Sequence, residues 1–409
     1  MNLLRLSRYL LSKRLLHELV LLIQLVLMVV FAFSVLNPID TFQAQSNQLR
    51  ESYQLDFDNT LHFASGNAII QSEWEGNHSY QDTLYEMISS VPQVDHVIRC
   101  YYDDVSFYSG VNQEKPIRSS ANLIVYSEEM AQVVDLKLSA GSFSSDAESR
   151  LPILVSSSLA DQFPVGTQKE IIMTQGGKTV CCIVSGILDA ESIIPLVSTY
   201  GSTPTLDVFA AFPENTQGTG FIIALYQENF LGDIEWGSNY LITLDQADNL
   251  TEAHDQLKSV VGSYGTVQTV SQVIQESFDS MLQGNRWNIF ATVLLGLIAL
   301  FGYGGYLYLM IRQRQTEFAV FYLLGMTRRQ MATIIFIAGG AVLVLAIAIG
   351  SCVAPWFMQN ILFESETNPG ITSYLFCGIL LFAILTGSVA VGFNQSIKNT
   401  TAALYQGGD

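Results

Sequence analysis

The side chains with the chemistry for catalysis or metal binding are scattered along this 409-residue chain. His17, His62, His78, His96 and His254 are far apart, and none belongs to a His-Glu-x-x-His pair. No Cys-x-x-Cys occurs, so neither a zinc centre nor a dithiol redox site has support. There is no Gly-x-x-x-x-Gly-Lys-Ser/Thr, so the chain carries no P-loop of its own, and no Gly-x-Ser-x-Gly elbow. Asp103-Asp104 and Glu128-Glu129 read as solvated carboxylates in loops rather than as an acid–base dyad. Cys352 and Cys377 lie in apolar stretches and read as packing residues. Cys181 and Cys182 are adjacent and point to opposite faces of a strand, so a disulfide from one of them to Cys100 stays open.

Ordered chemistry is concentrated between Arg312 and Met331. Arg312 and Arg314 come first, then Glu317, then the apolar Phe318, Phe321, Tyr322 and Leu324, then Gly325, Thr327, Arg328 and Arg329. The pattern predicts a short helix lying in a membrane interface. Gly325 ends it in a left-handed conformation that a side chain resists. Thr327 then caps the next helix. Anchoring by positive charge accounts for the four arginines, but not for Glu317 or the order Gly325-Met326-Thr327.

The elements that position this loop are apolar stretches. Leu19–Leu36, Asn288–Ile311, Met331–Met358 and Ser373–Phe393 carry no charged residue. Each comes close to or exceeds the ~20 residues needed to cross about 30 Å of hydrocarbon. The first is too long for a signal-peptide core and lacks a small-residue cleavage site, so it reads as an uncleaved helix. Residues 1–18, 312–330 and 395–409 hold nine of the nineteen lysines and arginines; 39–287 and 359–372, far longer, hold the other ten. That bias places both termini and the 312–330 loop in the cytosol. The spans hold no Asp, Glu, Lys, Arg or His, which argues against an ion path or proton relay.

The organisation follows: a cytosolic amphipathic segment 1–18, a span 19–38, an outer domain 39–287, a span 288–311, the loop 312–330, a span 331–358, a short outer loop 359–372, a span 373–393 and a cytosolic tail 394–409. The fold class is an α-helical membrane protein with four transmembrane helices, one plus three, and a large mixed α/β extracytoplasmic domain. Residues 39–287 hold 32 acidic against 10 basic residues, which with the overall charge of −18 excludes nucleic acid as a partner. In the outer domain, Glu170–Thr174 and Thr179–Leu188 read as a hairpin about Gln175-Gly176-Gly177-Lys178, and Tyr240–Leu244 as a strand. A helix is expected from Asp245 or Asp248 to about Val261. Another, from Ser271, should run unbroken into the second span as a stiff lever. The glycines of that span, Gly296, Gly302, Gly304 and Gly305, suit close helix packing, within the chain or in a dimer.

The loop resembles the signature of MacB/FtsX-type permeases of ABC transporters. Arg314, Glu317, Phe318, Ala319, Val320, Leu324, Gly325, Thr327, Arg328 and Arg329 match it, whereas Tyr322 stands where that family usually carries a basic residue. Pro152–Gly166, Gly177–Val180 and Val184–Leu188 look like the core of the MacB-type external domain. The resemblance implies a permease subunit, not an enzyme, in the plasma membrane of a bacterium. It implies a dimer with a second permease chain, like or unlike, and a cytosolic ABC ATPase that holds ATP and Mg, with no cofactor in this chain. Arg312, Arg314, Glu317, Phe318, Gly325, Thr327, Arg328 and Arg329 would then couple ATPase closure to the outer domain, in export of a peptide, lipid or antibiotic-like substrate. Two alternatives remain: an FtsX-like regulator of a cell-wall hydrolase, and a membrane-anchored sensor or scaffold without an ATPase.

Orientation is directly testable. With Cys100, Cys181 and Cys182 removed, a cysteine at Ser46 or Ser280 should react with an impermeant thiol reagent in intact cells. One at Thr327 should not, and labelling there would overturn the topology.

Overall fold

The computed structural model describes residues 15–66, 79–109, 117–143, 150–197, 205–212, 220–245, 250–262, 264–313, 320, 324–358, 373–383, 385–387, 389 and 390. The amphipathic segment expected at 1–18 therefore lies largely outside the described residues, as do the outer loop 359–372 and the tail from 391. In chain order the first elements are α1 (Leu15–Ser52), β1 (Leu61–Ser65), α2 (Ser79–Ser89), β2 (Val94–Ile98), β3 (Cys100–Ser109) and β4 (Ile117–Tyr126). Then come α3 (Glu128–Val133), β5 (Leu138–Gly141), β6 (Leu151–Val155), β7 (Gln168–Met173), β8 (Thr179–Leu188), β9 (Ile194–Pro195), β10 (Ala210–Ala211) and β11 (Gly220–Leu225). The chain continues through α4 (Glu228–Leu231), β12 (Tyr240–Leu244), α5 (Leu250–Val261), β13 (Gly265–Thr269), α6 (Val270–Gly284), α7 (Arg286–Gln313) and α8 (Arg328–Phe357). A helix from Ser373 to Gly387, α9, follows. Two compact units result: Met1–Gln43 with Met281–Asp409, and Ala44–Ser280.

The first unit is an apolar helical bundle. Three of its helices are long and apolar enough to cross a membrane; α9 is shorter as described. The protein is thus a membrane protein. One cluster gathers Leu25, Met28 and Phe33 of α1, Ala299, Tyr303 and Leu307 of α7, Ile335 and Ala346 of α8, and Cys377 and Leu381 of α9. Small residues permit the approach: a Cβ on Gly350 would lie 2.6 Å from Val29. Gly302 sits against the amide of Gln24, so at least this glycine of α7 packs within the chain. Phe290, Val293, Phe301, Val344 and Ile379 point outward, as a hydrocarbon surround requires. Helix α1 passes Pro38, which lacks the N–H to bond Ser34, and runs on well beyond the expected span end at residue 38. Buried Asn37 stands beside it with neither amide atom hydrogen-bonded.

The second unit contains two sheets. The smaller has the order β13-β1-β12-β2, antiparallel throughout, with Leu61 opposite Ile242 and Leu241 opposite Ile98. Helix α5 buries Ala253, Leu257 and Val261, a four-residue rhythm that lays one helix face on Phe63, Tyr240 and Ile242. The larger sheet has the order β5-β8-β6-β11-β4-β3-β7, and β7 pairs back onto β8. It is therefore a closed barrel with β5 attached at its rim. Strand β8 alternates exposed and buried residues over its first half, directing Val180, Cys182 and Val184 into the barrel, whereas β6 is buried throughout. Gly176 and Gly177, both at positive φ, turn the β7–β8 hairpin, and Met173 N–H donates to the Lys178 carbonyl at 2.9 Å.

The whole barrel, from Cys100 to Trp236, is inserted between β2 and β12, which are neighbours in the small sheet. The incoming crossover is one residue, Arg99. The outgoing one lies beside it, with Gly237 N–H donating to the Cys100 carbonyl at 3.0 Å. A second seam joins the subdomains at the β9–β10 hairpin. The Tyr53 hydroxyl donates to the carbonyls of Leu196 and Phe209 at 3.1 and 2.8 Å, and that of Tyr126 to Pro195 at 2.6 Å. His62 packs edge-on to Phe209 with ring centroids 5.0 Å apart.

His62 is buried with Nε2 unpartnered, and burial pushes its pKa down from 6.5 to about 4. The folded state holds the neutral ring, while the unfolded chain protonates near pH 6.5. This stabilisation is present above that pH and is lost as pH falls toward 4, amounting to about 3 kcal/mol once both states are protonated. The apparent Tm of the outer unit should therefore drop between pH 6.5 and 4, and His62→Leu should flatten the drop. A pH profile unchanged by the substitution would contradict this account.

Candidate functional site

The region 312–330 is entered by α7, whose last turn carries exposed Arg312. Arg314, Glu317 and Phe318 lie outside the described residues, as do 321–323. The structure resumes at Leu324, whose N–H donates to the Val320 carbonyl at 3.0 Å, an i to i−4 helical bond. Val320 and Leu324 are 53% and 75% exposed.

Gly325 has φ +90°. A Cβ there would meet nothing within 4 Å, so the demand for glycine comes from the backbone alone. Two residues later Thr327, extended at φ −79° and ψ 156°, begins α8 with a complete capping box. Gln330 N–H donates to Thr327 Oγ1 at 3.3 Å, and Thr327 N–H donates to Gln330 Oε1 at 2.9 Å. The left-handed glycine and the threonine cap were both readable because each is a local backbone requirement. The role of Gln330 was missed, although the Thr-x-x-Gln spacing announces it.

Arg328 and Arg329 open α8, whose first turn contains no acid. Helix N-termini carry positive partial charge, so cations there are mildly disfavoured by the helix itself. The structure thus brings Gly325, Thr327 and exposed Arg329 into one turn beside the end of the loop. Within the chain, no described partner neutralises Arg329.

Elsewhere the structure corrects the reading of the acidic pairs. Asp103 is buried on β3, not solvated in a loop, and its carboxylate accepts the Gln175 N–H at 3.1 and 3.3 Å. Burial raises its pKa against the pull of those hydrogen bonds. Glu128 and Glu129 form the first turn of α3, where acids complement the helix dipole, and Ser127 caps it. All five cysteines are free. Burial raises the thiols of Cys100 and Cys182 to about 12, so neither is a nucleophile at neutral pH. The expected lever is two helices, α6 and α7, divided at Asn285. The i to i−4 bonds of Asn285 to Met281 and of Ile289 to Asn285, each 3.0 Å, carry helical hydrogen bonding through the division.

Comparison with known proteins points to the C-terminal part. Residues 289–398 match the family described as FtsX-like permease C-terminal. The loop whose residues resemble the permease signature falls inside that range. No curated protein matches the chain. The extracellular domain of the noncanonic ABC-type transporter YknZ from Gram-positive bacteria is similar at 14% identity, over 51% of this chain and 100% of that one, with a TM-score of 0.32. The periplasmic region of MacB from Actinobacillus actinomycetemcomitans is similar at 15% identity, over 53% of this chain and 91% of that one, with a TM-score of 0.33.

The cap can be weighed by substitution. Thr327→Ala should cost about 1 kcal/mol and Thr327→Ser little. In hydrogen-exchange mass spectrometry, amide exchange in the first turn of α8 should rise roughly fivefold in the alanine variant alone. Equal exchange in both would remove the cap from the account.

Proposed function

We infer that this chain, with its FtsX-like permease region at residues 289–398, is the permease subunit of an ABC-type transporter or mechanotransmission complex. That family match is the observation that carries the reading. The chain would cross the bacterial plasma membrane four times, with 39–287 outside and 312–330 in the cytosol. The bias of lysine and arginine toward the cytosolic segments supports that orientation. ATP hydrolysis would belong to a separate cytosolic subunit holding ATP and Mg, and a second permease chain would complete the complex. Nothing in this chain's sequence offers a P-loop, and the cytosolic turn at Gly325 supplies a shaped, positively charged surface for the ATPase.

Coupling would run from the ATPase to the 312–330 loop, from the loop into α7 and α8, and from α7 through α6 toward β13 and the small outer sheet. Helical hydrogen bonding across Asn285 supports transmission along this path. Gly325 sets the direction in which the chain enters α8, and Glu317 is available to pair with a basic group on the ATPase. The exposed Val320 and Leu324 would be covered by that subunit or by the lipid interface. The transported material would be a peptide, lipid or antibiotic-like compound handled on the outer side.

The test uses the cognate ATPase. Gly325→Val places a β-branched side chain at φ +90°, a backbone cost of roughly 1–2 kcal/mol. Gly325→Val and Glu317→Lys should leave the protein inserted with its outer unit folded, yet reduce ATPase pull-down or uncouple ATP turnover in reconstituted membranes by at least about fivefold. A substitution at Ser46 should do neither. Wild-type behaviour of both loop variants would reduce the loop to an anchor.

A further inference from the structure

Arg99, the single-residue crossover into the barrel, is held in an unusual way. Its guanidinium carbon lies 4.2 Å from the ring centre of Tyr85 on α2 and 4.4 Å from that of Trp236, at the barrel's exit. Trp236 is itself braced edge-on by Tyr226 at 5.1 Å. Among the described residues, no carboxylate lies within ion-pair distance of Arg99 and no acceptor takes its N–H groups. Residues 39–287 hold 32 acidic side chains against 10 basic ones, and Arg99 is held by two rings rather than by an acid. Arg118, by contrast, donates to Ser106 at 2.9 Å, and Lys137 pairs with Glu51 at 3.3 Å.

Aromatic rings occupy the flat faces of a guanidinium and leave its N–H groups, which lie in its plane, free for an acceptor. Stacking also fixes the side chain in advance, so little rotamer entropy remains to be lost when an acceptor arrives. Arg99 is only partly buried, so that edge is within reach of solvent.

We propose that Arg99, clasped by Tyr85 and Trp236, anchors a site for a free carboxylate of a peptide ligand, gripped by the in-plane fork of the guanidinium. A carboxylate matches the planar fork in two parallel hydrogen bonds. The acidic field of the domain favours a monoanion over a doubly charged phosphate. Glu228 and Asp233 lie close enough to Tyr226 to act on its phenol, as does Arg99, so acids ring the same neighbourhood. They repel bulk anions and leave bidentate geometry as the basis of selection. The site lies where both crossovers meet, so an occupied site touches both subdomains.

The experiment uses the full-length chain in detergent, without an ATPase, so its failure leaves the permease reading standing. Binding is followed by saturation-transfer NMR with three probes: N-acetyl-alanyl-alanine with a free terminal carboxylate, its C-terminal amide, and N-acetyl-glutamate α-amide, which carries only a side-chain carboxylate. At least one acid should bind, with the neutral amide about tenfold weaker; which acid binds separates a chain terminus from an acidic side chain. Arg99→Lys keeps the charge but loses the fork, and should weaken binding about tenfold in protein that remains folded. Equal binding of acid and amide, no binding of either acid, displacement by equimolar inorganic phosphate, or wild-type affinity in Arg99→Lys would each overturn the proposal. The acid–amide comparison needs no variant and decides the matter even if Arg99→Lys fails to fold.

Discussion

The pairing of β2 with β12 is the interaction on which the outer unit depends. Ile98 opposite Leu241 and Val97 opposite Ile242 hold the two ends of the barrel insertion side by side. With those ends fixed, the barrel closes on itself through β7 and β8 and needs no other strand of the small sheet. The seam is then reinforced by groups that are each half of an interaction between subdomains: the stacked guanidinium of Arg99, the hydroxyls of Tyr53 and Tyr126, and the ring of His62. Most of these are buried polar groups, costly when unpaired, so the relative placement of sheet and barrel is narrowly specified.

Much of this was legible in the sequence wherever the cause is local. The apolar stretches announced the long helices. The β-rich run Thr179–Leu188 announced β8, and the double glycine its turn. Gly325 and Thr327 could be read because a left-handed residue and a helix cap are set by a few neighbouring atoms. What could not be read is long-range. The parallel pairings of β4 with β11 and of β6 with β8 join strands far apart in the chain. Asp103 looked solvated because nothing beside it in sequence reveals that the β7–β8 turn supplies its hydrogen bonds. The first span was expected over 19–38, yet α1 continues to Ser52. In the turn at Gly325 the backbone requirements were legible, because the glycine and the cap are set by neighbouring atoms of the chain itself.

The two units solve opposite solvation problems. In the bundle, backbone groups are satisfied within each helix and apolar side chains face outward, so packing relies on small residues such as Gly350 and Gly339. In the outer unit, apolar side chains converge on two separate cores and the surface is acidic. At the loop the balance changes again, with Arg328 and Arg329 placed against the sign of the helix they begin.

The insertion also dictates an order of events during synthesis. Every pairing in the small sheet, β13 with β1, β1 with β12 and β12 with β2, joins a strand made before the barrel to one made after it. The barrel strands, in contrast, are contiguous in the chain. As the polypeptide emerges N-terminus first, β1 and β2 must wait without partners until β12 appears, while the barrel already has all it needs to close. The guest therefore folds before its host, and its closure brings the chain at Trp236 back beside Arg99, turning a remote strand pairing into a short-range one.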